Sequence, residues 1–447
     1  MTLRQFLEQL REVRYGEHSA PVCRTIAEAV VHELAGGARA VVAEVPSRAV
    51  KKALVLTVDH ELAAEGSHCS FFRVDAAGGA HLRSSSASGL FALWRIVAEE
   101  WLERDVEEFR KDVTVRPRIP WLRNLNDHLV GSLRRARGFE REEYFRQLAR
   151  GGFTHVSING LGVSRPFETG PPGDVYWWFY DYSPDLDQYF DSSLLRGYYP
   201  AEYLNANRQF LQDNAALALK YGLTPGLHIN SPRSMPEAFW EHYGFLRGAR
   251  IDHPRESFLP RYTLAMAHPV VQAHYRELIA SAMREIPEIG FIHIWTNDSG
   301  AGFEFVSSLY AGRNGGPYLI REWKDDEEIA RAAARNVMTY YRLLRDEARQ
   351  VNPQFRLICD LGPFHAERKF IIPELGNGID AGAFGYFEKT VTSEEAVALR
   401  DAGVHVHRKL DLTEANVIGA PYPRLVHELL SSAVSGNTIG VLTNVTP

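Results

Sequence analysis

Apolar positions fall in two rhythms along the chain. Up to about residue 110 two helical patterns precede short strand-like runs, Val41–Val45, Ala53–Val58, Ser70–Val74 and His81–Ser84, each broken by glycine or polar turns. Ser88-Gly89-Leu90-Phe91-Ala92-Leu93-Trp94 then opens a helix expected to run to about Leu102. A few strands with helices on one face predict a small α+β domain over residues 1–115. Two prolines in the polar stretch Val113–Pro120 mark a linker. From 116 to 447 apolar strands alternate with helices. The strands are expected at Trp121–Leu125, Thr154–Ile158, Gly226–Ile229, Phe291–Trp295, Arg356–Cys359, Ala381–Gly385, His405–Lys409 and Gly440–Thr443. Helices are expected near Arg141–Arg150, Glu202–Tyr221, Val270–Arg284, Glu327–Val351, Ser393–Ala402 and Tyr422–Ser432. Eight β units separated by helices predict an α/β fold of the (β/α)8, TIM-barrel type; a doubly wound open sheet is the alternative. No GxGxxG follows a strand, which weakens a nucleotide site. The connections 159–201 and 230–268, and the one after the fourth strand through about 322, are long enough to build a substrate site. The eighth strand comes just before Pro447, so a truncated chain, or a partner covering that strand, is expected.

Composition narrows the partners. With 45% hydrophobic and 24% charged residues the chain matches a globular protein and not a disordered one. A net charge of −6 without a polybasic block speaks against nucleic acid or an anionic membrane as partner. Cys23, Cys69 and Cys359 are too few and scattered for a disulfide framework or a cysteine zinc site. The charged start, with no apolar run of ~18 residues anywhere, leads to the expectation of a cytoplasmic protein. HExxH is absent. His405-Val406-His407 puts two imidazoles on one strand face, but on the seventh strand, so neither metal nor cofactor is expected.

In a barrel of this kind chemistry sits where strands end. Those ends carry Arg123, Asn124 and Asp127, then Asn159, then His228 and Asn230, then Trp295, Asn297 and Asp298 with Glu304 close behind. Asp360 and His365 follow the fifth strand, Glu388 the sixth, Arg408 and Asp411 the seventh and Asn444 the eighth. Single residues among these also serve as helix caps or turn residues. Asp298 follows the apolar strand Phe291–Trp295 and is the leading candidate for a general acid, with an N-cap as its plain reading and Glu304 as backup. A second carboxylate would come from Asp360, Glu388 or Asp411, with His365 and His228 placed to assist. The aromatic run 175–182, with Trp177 and Trp178, can stack on sugar rings, plug the loop against the barrel or form a homodimer contact. Arg123, Arg134 and Arg408 could grip a substrate carboxylate or pair with neighbouring acids.

These segments resemble a known family. Asn126–Arg135 is similar to the stretch after the first barrel strand of α-glucuronidases acting on xylan fragments. Trp295–Gly300 resembles their fourth-strand segment carrying the acid, and Leu361–His365 their Gly-Pro segment. The first domain, through Ser88–Leu93, resembles the non-catalytic domain that precedes the barrel there and in β-hexosaminidases. The resemblance implies a glycoside hydrolase acting on an oligosaccharide, with a uronic acid as the family's feature. Asp298 would be the acid, Asp360, Glu388 or His365 would stand on the base side, and Trp295, Asn297, Asn124 and Asn230 would touch substrate. The family's acid is a glutamate where this chain offers Asp298 or Ser299, and its Gly-Pro segment ends in aspartate where this chain has His365. A catalytically altered sugar-binding barrel, a β-hexosaminidase-like enzyme and an amidase or metal-dependent hydrolase barrel therefore stand as alternatives.

Overall fold

The computed structural model describes residues 1–43, 51–63, 68–124, 140–159, 170–173, 184–252, 260–296, 301–306, 326–382, 391–411 and 438–444, with part of 424–431. The described strands of the first hundred-odd residues form one mixed sheet in the order β2-β1-β3-β5-β4-β6: Glu12–Tyr15 (β1), Arg39–Val42 (β2), Ala53–Val58 (β3), Ser70–Val74 (β4), Ala80–Ser84 (β5) and Val113–Val115 (β6). β1 pairs in parallel with β2 and β3, and β3 with β5, whereas β4 lies antiparallel to β5 and β6. Helix Pro21–Glu33 starts on a proline and buries Val22, Ile26 and Val30, a four-residue spacing that makes one apolar stripe. Helix Ala87–Ile96 is capped by the Ser86 hydroxyl, which accepts from the Gly89 amide at 3.1 Å. The two helical patterns expected at the start are the short helix Leu3–Leu7 and helix Pro21–Glu33, with β1 between them.

The second architecture is a closed barrel of eight strands: Trp121–Asn124 (β7), His155–Ser157 (β8), Thr224–Asn230 (β9), Phe291–Trp295 (β12), Arg356–Asp360 (β13), Ile379–Gly382 (β14), Val406–Asp411 (β15) and Thr438–Asn444 (β16). The ladders that join β9, β12, β13, β14, β15 and β16 are parallel. Each expected barrel strand is present, with ends shifted by at most three residues. Arg247–Asp252 (β10) and Pro260–Leu264 (β11) form an antiparallel pair inside the connection 230–268, which the sequence pattern leaves as a plain loop. Outside the barrel run helices Arg141–Arg150, Ala201–Lys220, Pro269–Glu285, Asp326–Ala348 and Ser393–Asp401. The expected helix over 422–432 lies largely outside the described residues.

By its contacts the chain groups into two units. One is Met1–Leu122 with Glu140–Val156 and Ala216–Thr224, and the other is the remainder, which holds most of the barrel. Within the first unit Thr25 donates to the Lys220 carbonyl at 2.7 Å and Phe91 meets Tyr221 edge to face. Within the second, Tyr275 and Tyr340 on adjacent helices meet edge to face with centroids 4.9 Å apart. No helix among the described residues is long and apolar enough to cross a membrane.

Candidate active site at the barrel mouth

Strand alternation sorts the barrel residues into an outer and an inner set. In β9 and β12, Leu227, Ile229, Ile292 and Ile294 face one way and are buried. His228 and Asn230, and His293 and Trp295, face the other way and line the interior. The register pairs His228 with His293 and Asn230 with Trp295. The imidazoles of His228 and His293 stack at 4.8 Å and 12°, and His228 lies at 6.4 Å and 19° from the Trp295 indole. Three flat rings thus form a ladder climbing two adjacent strands to the C-terminal mouth. β9 can approach this closely at its start because Gly226 has no side chain: a Cβ there would lie 2.2 Å from the Phe291 ring.

The middle of the barrel is polar and paired. Arg123, fully buried, donates to the Ser157 hydroxyl at 2.9 Å and to Nδ1 of His293, and its guanidinium lies 5.2 Å from the Phe291 ring centroid. Burial, and then the Arg123 charge, hold the His293 imidazole well below its usual range, so it stays neutral. Arg356 binds Asp380 through two guanidinium nitrogens, Nε at 2.8 Å, and also reaches Nδ1 of His405. His407 Nε2 is 3.0 Å from the same Asp380. Burial pushes the Asp380 carboxyl up, but the hydrogen bonds from His407 and Arg356 outweigh it and hold the group below the ordinary carboxylate range. His405 and His407 do share a face, as their spacing predicts. Among the described residues no group of three or more His, Cys, Asp or Glu is arranged to hold a metal ion.

Expected site residues separate at the mouth. Asn159 is structural in its contacts: its Nδ2 donates to the His228 carbonyl at 2.8 Å and its Oδ1 accepts from the His228 amide at 3.0 Å. Asn230 is fully buried, and neither its Oδ1 nor its Nδ2 has a partner among the described residues. Asp360 ends β13 fully buried and accepts from the Gly362 amide at 2.8 Å. Asn124 ends β7 and is buried, while His365 lies exposed in the turn after β13. Arg408 was expected to meet substrate. Alternation instead sets it on the face of β15 opposite His407, and Lys409 takes the inward place. Asp127, Trp177, Trp178, Asn297, Asp298 and Glu388, with Arg134, lie outside the described residues.

Glu304 sits on the segment after β12, with its loop pinned on two sides. The Gly302 amide donates to the Pro232 carbonyl at 2.9 Å, and the Thr263 hydroxyl donates to the Gly302 carbonyl at 2.8 Å. The next residue, Phe305, takes a φ of 64°, a left-handed conformation that costs a bulky side chain energy. Glu304 is 8% exposed and its Oε2 has no partner among the described residues. Burial pushes its carboxyl up to about 7, against backbone hydrogen bonds that pull it down. Asp185, in the long connection after β8, accepts from the Leu186 amide at 2.7 Å, and burial pushes it up to about 6 against a hydrogen bond from Ser231. It thereby braces the residues that directly follow Asn230.

Sequence reasoning missed His293, Arg356 and Asp380. For His293 a signal was present: Ile292 and Ile294 alternate with Phe291, His293 and Trp295, as Leu227 and Ile229 do with His228 and Asn230, which sets each histidine on the face opposite the aliphatic residues.

No family model matches the chain, and a search of curated proteins finds no relative. Solved structures do match in fold. A family 89 glycoside hydrolase from Clostridium perfringens, in complex with PUGNAc, superposes with a TM-score of 0.54 at 9% identity, over 88% of this chain and 44% of that one. A GH138 enzyme targeting pectin rhamnogalacturonan II gives a TM-score of 0.54 at 10% identity, over 97% of this chain and 46% of that one. The chain thus spans less than half the length of these structures, and what it shares with these glycoside hydrolases is the fold.

Proposed function

We propose that the chain is a glycoside hydrolase that cleaves an oligosaccharide at the C-terminal mouth of its barrel by carboxylate acid/base catalysis. The observation that carries this reading is the set of inward polar side chains at the C-terminal ends of the strands, with Asn230 unpartnered among the described residues beside Trp295 and Asp360 buried at the end of β13; Glu304, a buried carboxyl raised by burial on the segment after the fourth barrel strand, supplies the candidate acid. A general acid must hold its proton at working pH and release it to the leaving oxygen, and a group near 7 does both. Glu304 takes that role, shared with Asp298 on the same connection. Asp360 stands on the base side with Glu388. Trp295, stacked over His228, offers a flat face to a sugar ring, and Asn230 offers a donor and an acceptor. Support at the level of fold comes from the glycoside hydrolases whose architecture the chain shares; fold alone does not assign chemistry. A uronic acid, the feature of the α-glucuronidase resemblance, would need a cation. Arg123, expected to face it, spends guanidinium donors on Ser157 and His293 inside the barrel, which favours a neutral substrate.

The test is hydrolysis of a panel of 4-nitrophenyl glycosides by wild type, Glu304→Gln, Asp298→Asn and Asp360→Asn. Loss of the general acid should lower kcat by about 10²–10⁴-fold. An inactive wild type, or activity indifferent to all three substitutions, refutes the assignment. Sugar binding without turnover would instead fit the altered, non-catalytic barrel, which the His365 and Asp298 departures from the α-glucuronidase pattern favour.

A further inference from the structure

Asn230 closes β9 on the inner face of the barrel, in register with Trp295 of β12. It is the one amide among the described residues whose oxygen and nitrogen are both buried and both without a partner. Each such atom gives up the hydrogen bonds that water supplied to the unfolded chain. Native proteins keep groups of this kind where a ligand or an ordered water completes them. Asn159, one strand away, shows the contrasting case, an amide wholly used in bridging backbone. Beside Asn230 the half-buried indole of Trp295 offers a flat apolar surface.

We propose that this corner of the mouth is a subsite for a neutral sugar, in which one ring hydroxyl donates to Asn230 Oδ1, the adjacent hydroxyl accepts from Nδ2, and the ring's C–H face lies on Trp295. The inference rests on the mouth being a glycoside site and adds which chemistry enters it. A hydroxyl both donates and accepts, whereas a carboxylate only accepts. A uronate carboxylate placed here would satisfy Nδ2 and turn lone pairs toward Oδ1. Among the described cations, Arg123 is engaged with Ser157 and His293, Lys409 stands on β15, four strands away in either direction around the barrel, and Arg233, buried three residues after Asn230, lies by the Asp185 carboxyl; the His293 ring is neutral.

The test uses the full chain with D-glucose, D-galactose, L-rhamnose, D-glucuronate and D-galacturonate, by calorimetric titration and by thermal melting. Wild type should bind at least one neutral hexose, and more tightly than the matching uronate by at least about tenfold. Asn230→Leu, close in volume, should lose roughly 30-fold of that affinity. Its melting temperature without sugar should equal or exceed that of wild type, because no hydrogen bond within the protein is lost. A lower unliganded melting temperature shows that the amide holds the fold and overturns the proposal. So do a preference for uronate, unchanged affinity in Asn230→Leu, and failure of every sugar to bind. Hydrolysis is scored separately. Neutral-sugar binding that depends on Asn230 in a protein without glycosidase activity overturns the catalytic reading and leaves the subsite standing. Hydrolysis of uronides untouched by Asn230→Leu does the reverse.

Discussion

Replacing Glu304 by glutamine should stabilise the protein at alkaline pH while it removes activity. The unfolded carboxyl loses its proton near 4.5 and the folded one near 7. Below pH 4.5 both states are protonated and burial of the neutral acid carries no charge penalty. As pH rises from 4.5 to 7 the unfolded state ionises freely while the folded state keeps its proton, so stability falls through this window. Above 7 the folded carboxylate is ionised in a buried place and the penalty is complete. At about 1.4 kcal/mol per tenfold change in proton affinity, the raised value amounts to roughly 3 kcal/mol. With 8% exposure, solvent screens little of it. Glutamine has the same shape and no charge to lose. The stability difference between Glu304→Gln and wild type should therefore change by roughly 3 kcal/mol in favour of the variant between pH 4.5 and pH 8. Urea unfolding of both proteins at several pH values measures this, and taking the difference cancels every other titrating group. Parallel stability curves for the two proteins across that range would show that Glu304 is solvated and would remove the physical basis for its role as acid.

Asp380→Ala should cost about 3 kcal/mol, the lower end for a broken buried pair, because it strands Arg356 while leaving part of that side chain in solvent; the urea midpoint reads it. Asn159→Ala removes both hydrogen bonds to the His228 backbone in a buried place and should cost about 2 kcal/mol, seen as a lower melting temperature. His274 is held neutral by burial, with its pKa driven down to about 3 and its Nδ1 2.7 Å from the Ser192 hydroxyl. Stability tied to it is complete above 6.5 and is lost as pH falls toward 3, so His274→Gln should flatten the acid limb of a melting-temperature profile between pH 7 and pH 4.

The barrel was legible because its strands are short apolar runs bounded by turn residues and separated by amphipathic helices. Phe291–Trp295 and the helix Arg141–Arg150 have the ends that pattern gives them. β1 was hidden because Glu12-Val13-Arg14-Tyr15 alternates with two charged residues, and its stability comes from two parallel neighbours that sequence does not announce. Hairpin β10–β11 was hidden likewise, by Arg247, Arg250 and Arg261 at paired positions of its register. The mouth was legible as a set of polar strand ends but not as roles. Arg123 and His293 are 170 residues apart in sequence, and only closure of the barrel makes them partners. Arg408 and Lys409 adjoin in sequence, and only the pleat decides which of them faces inward.

A barrel interior is ordinarily filled by branched apolar side chains. Here the inner places of β7, β8, β9, β12, β14 and β15 include Arg123, Ser157, His228, His293, Asp380 and His407. Removing such groups from water is costly, and well-packed apolar residues would serve stability as well or better. The pairs in mid-barrel answer that cost by mutual satisfaction: Arg356 with Asp380, Asp380 with His407, Arg123 with Ser157 and His293. The same accounting fails at the end of β9, where Asn230 leaves both amide atoms, and on the segment after β12, where Glu304 leaves Oε2, without partners among the described residues. Stability alone gives no reason to keep either. The proposed sugar would supply hydroxyls to Asn230, and the paired layer beneath holds the ring ladder of His293, His228 and Trp295 in place.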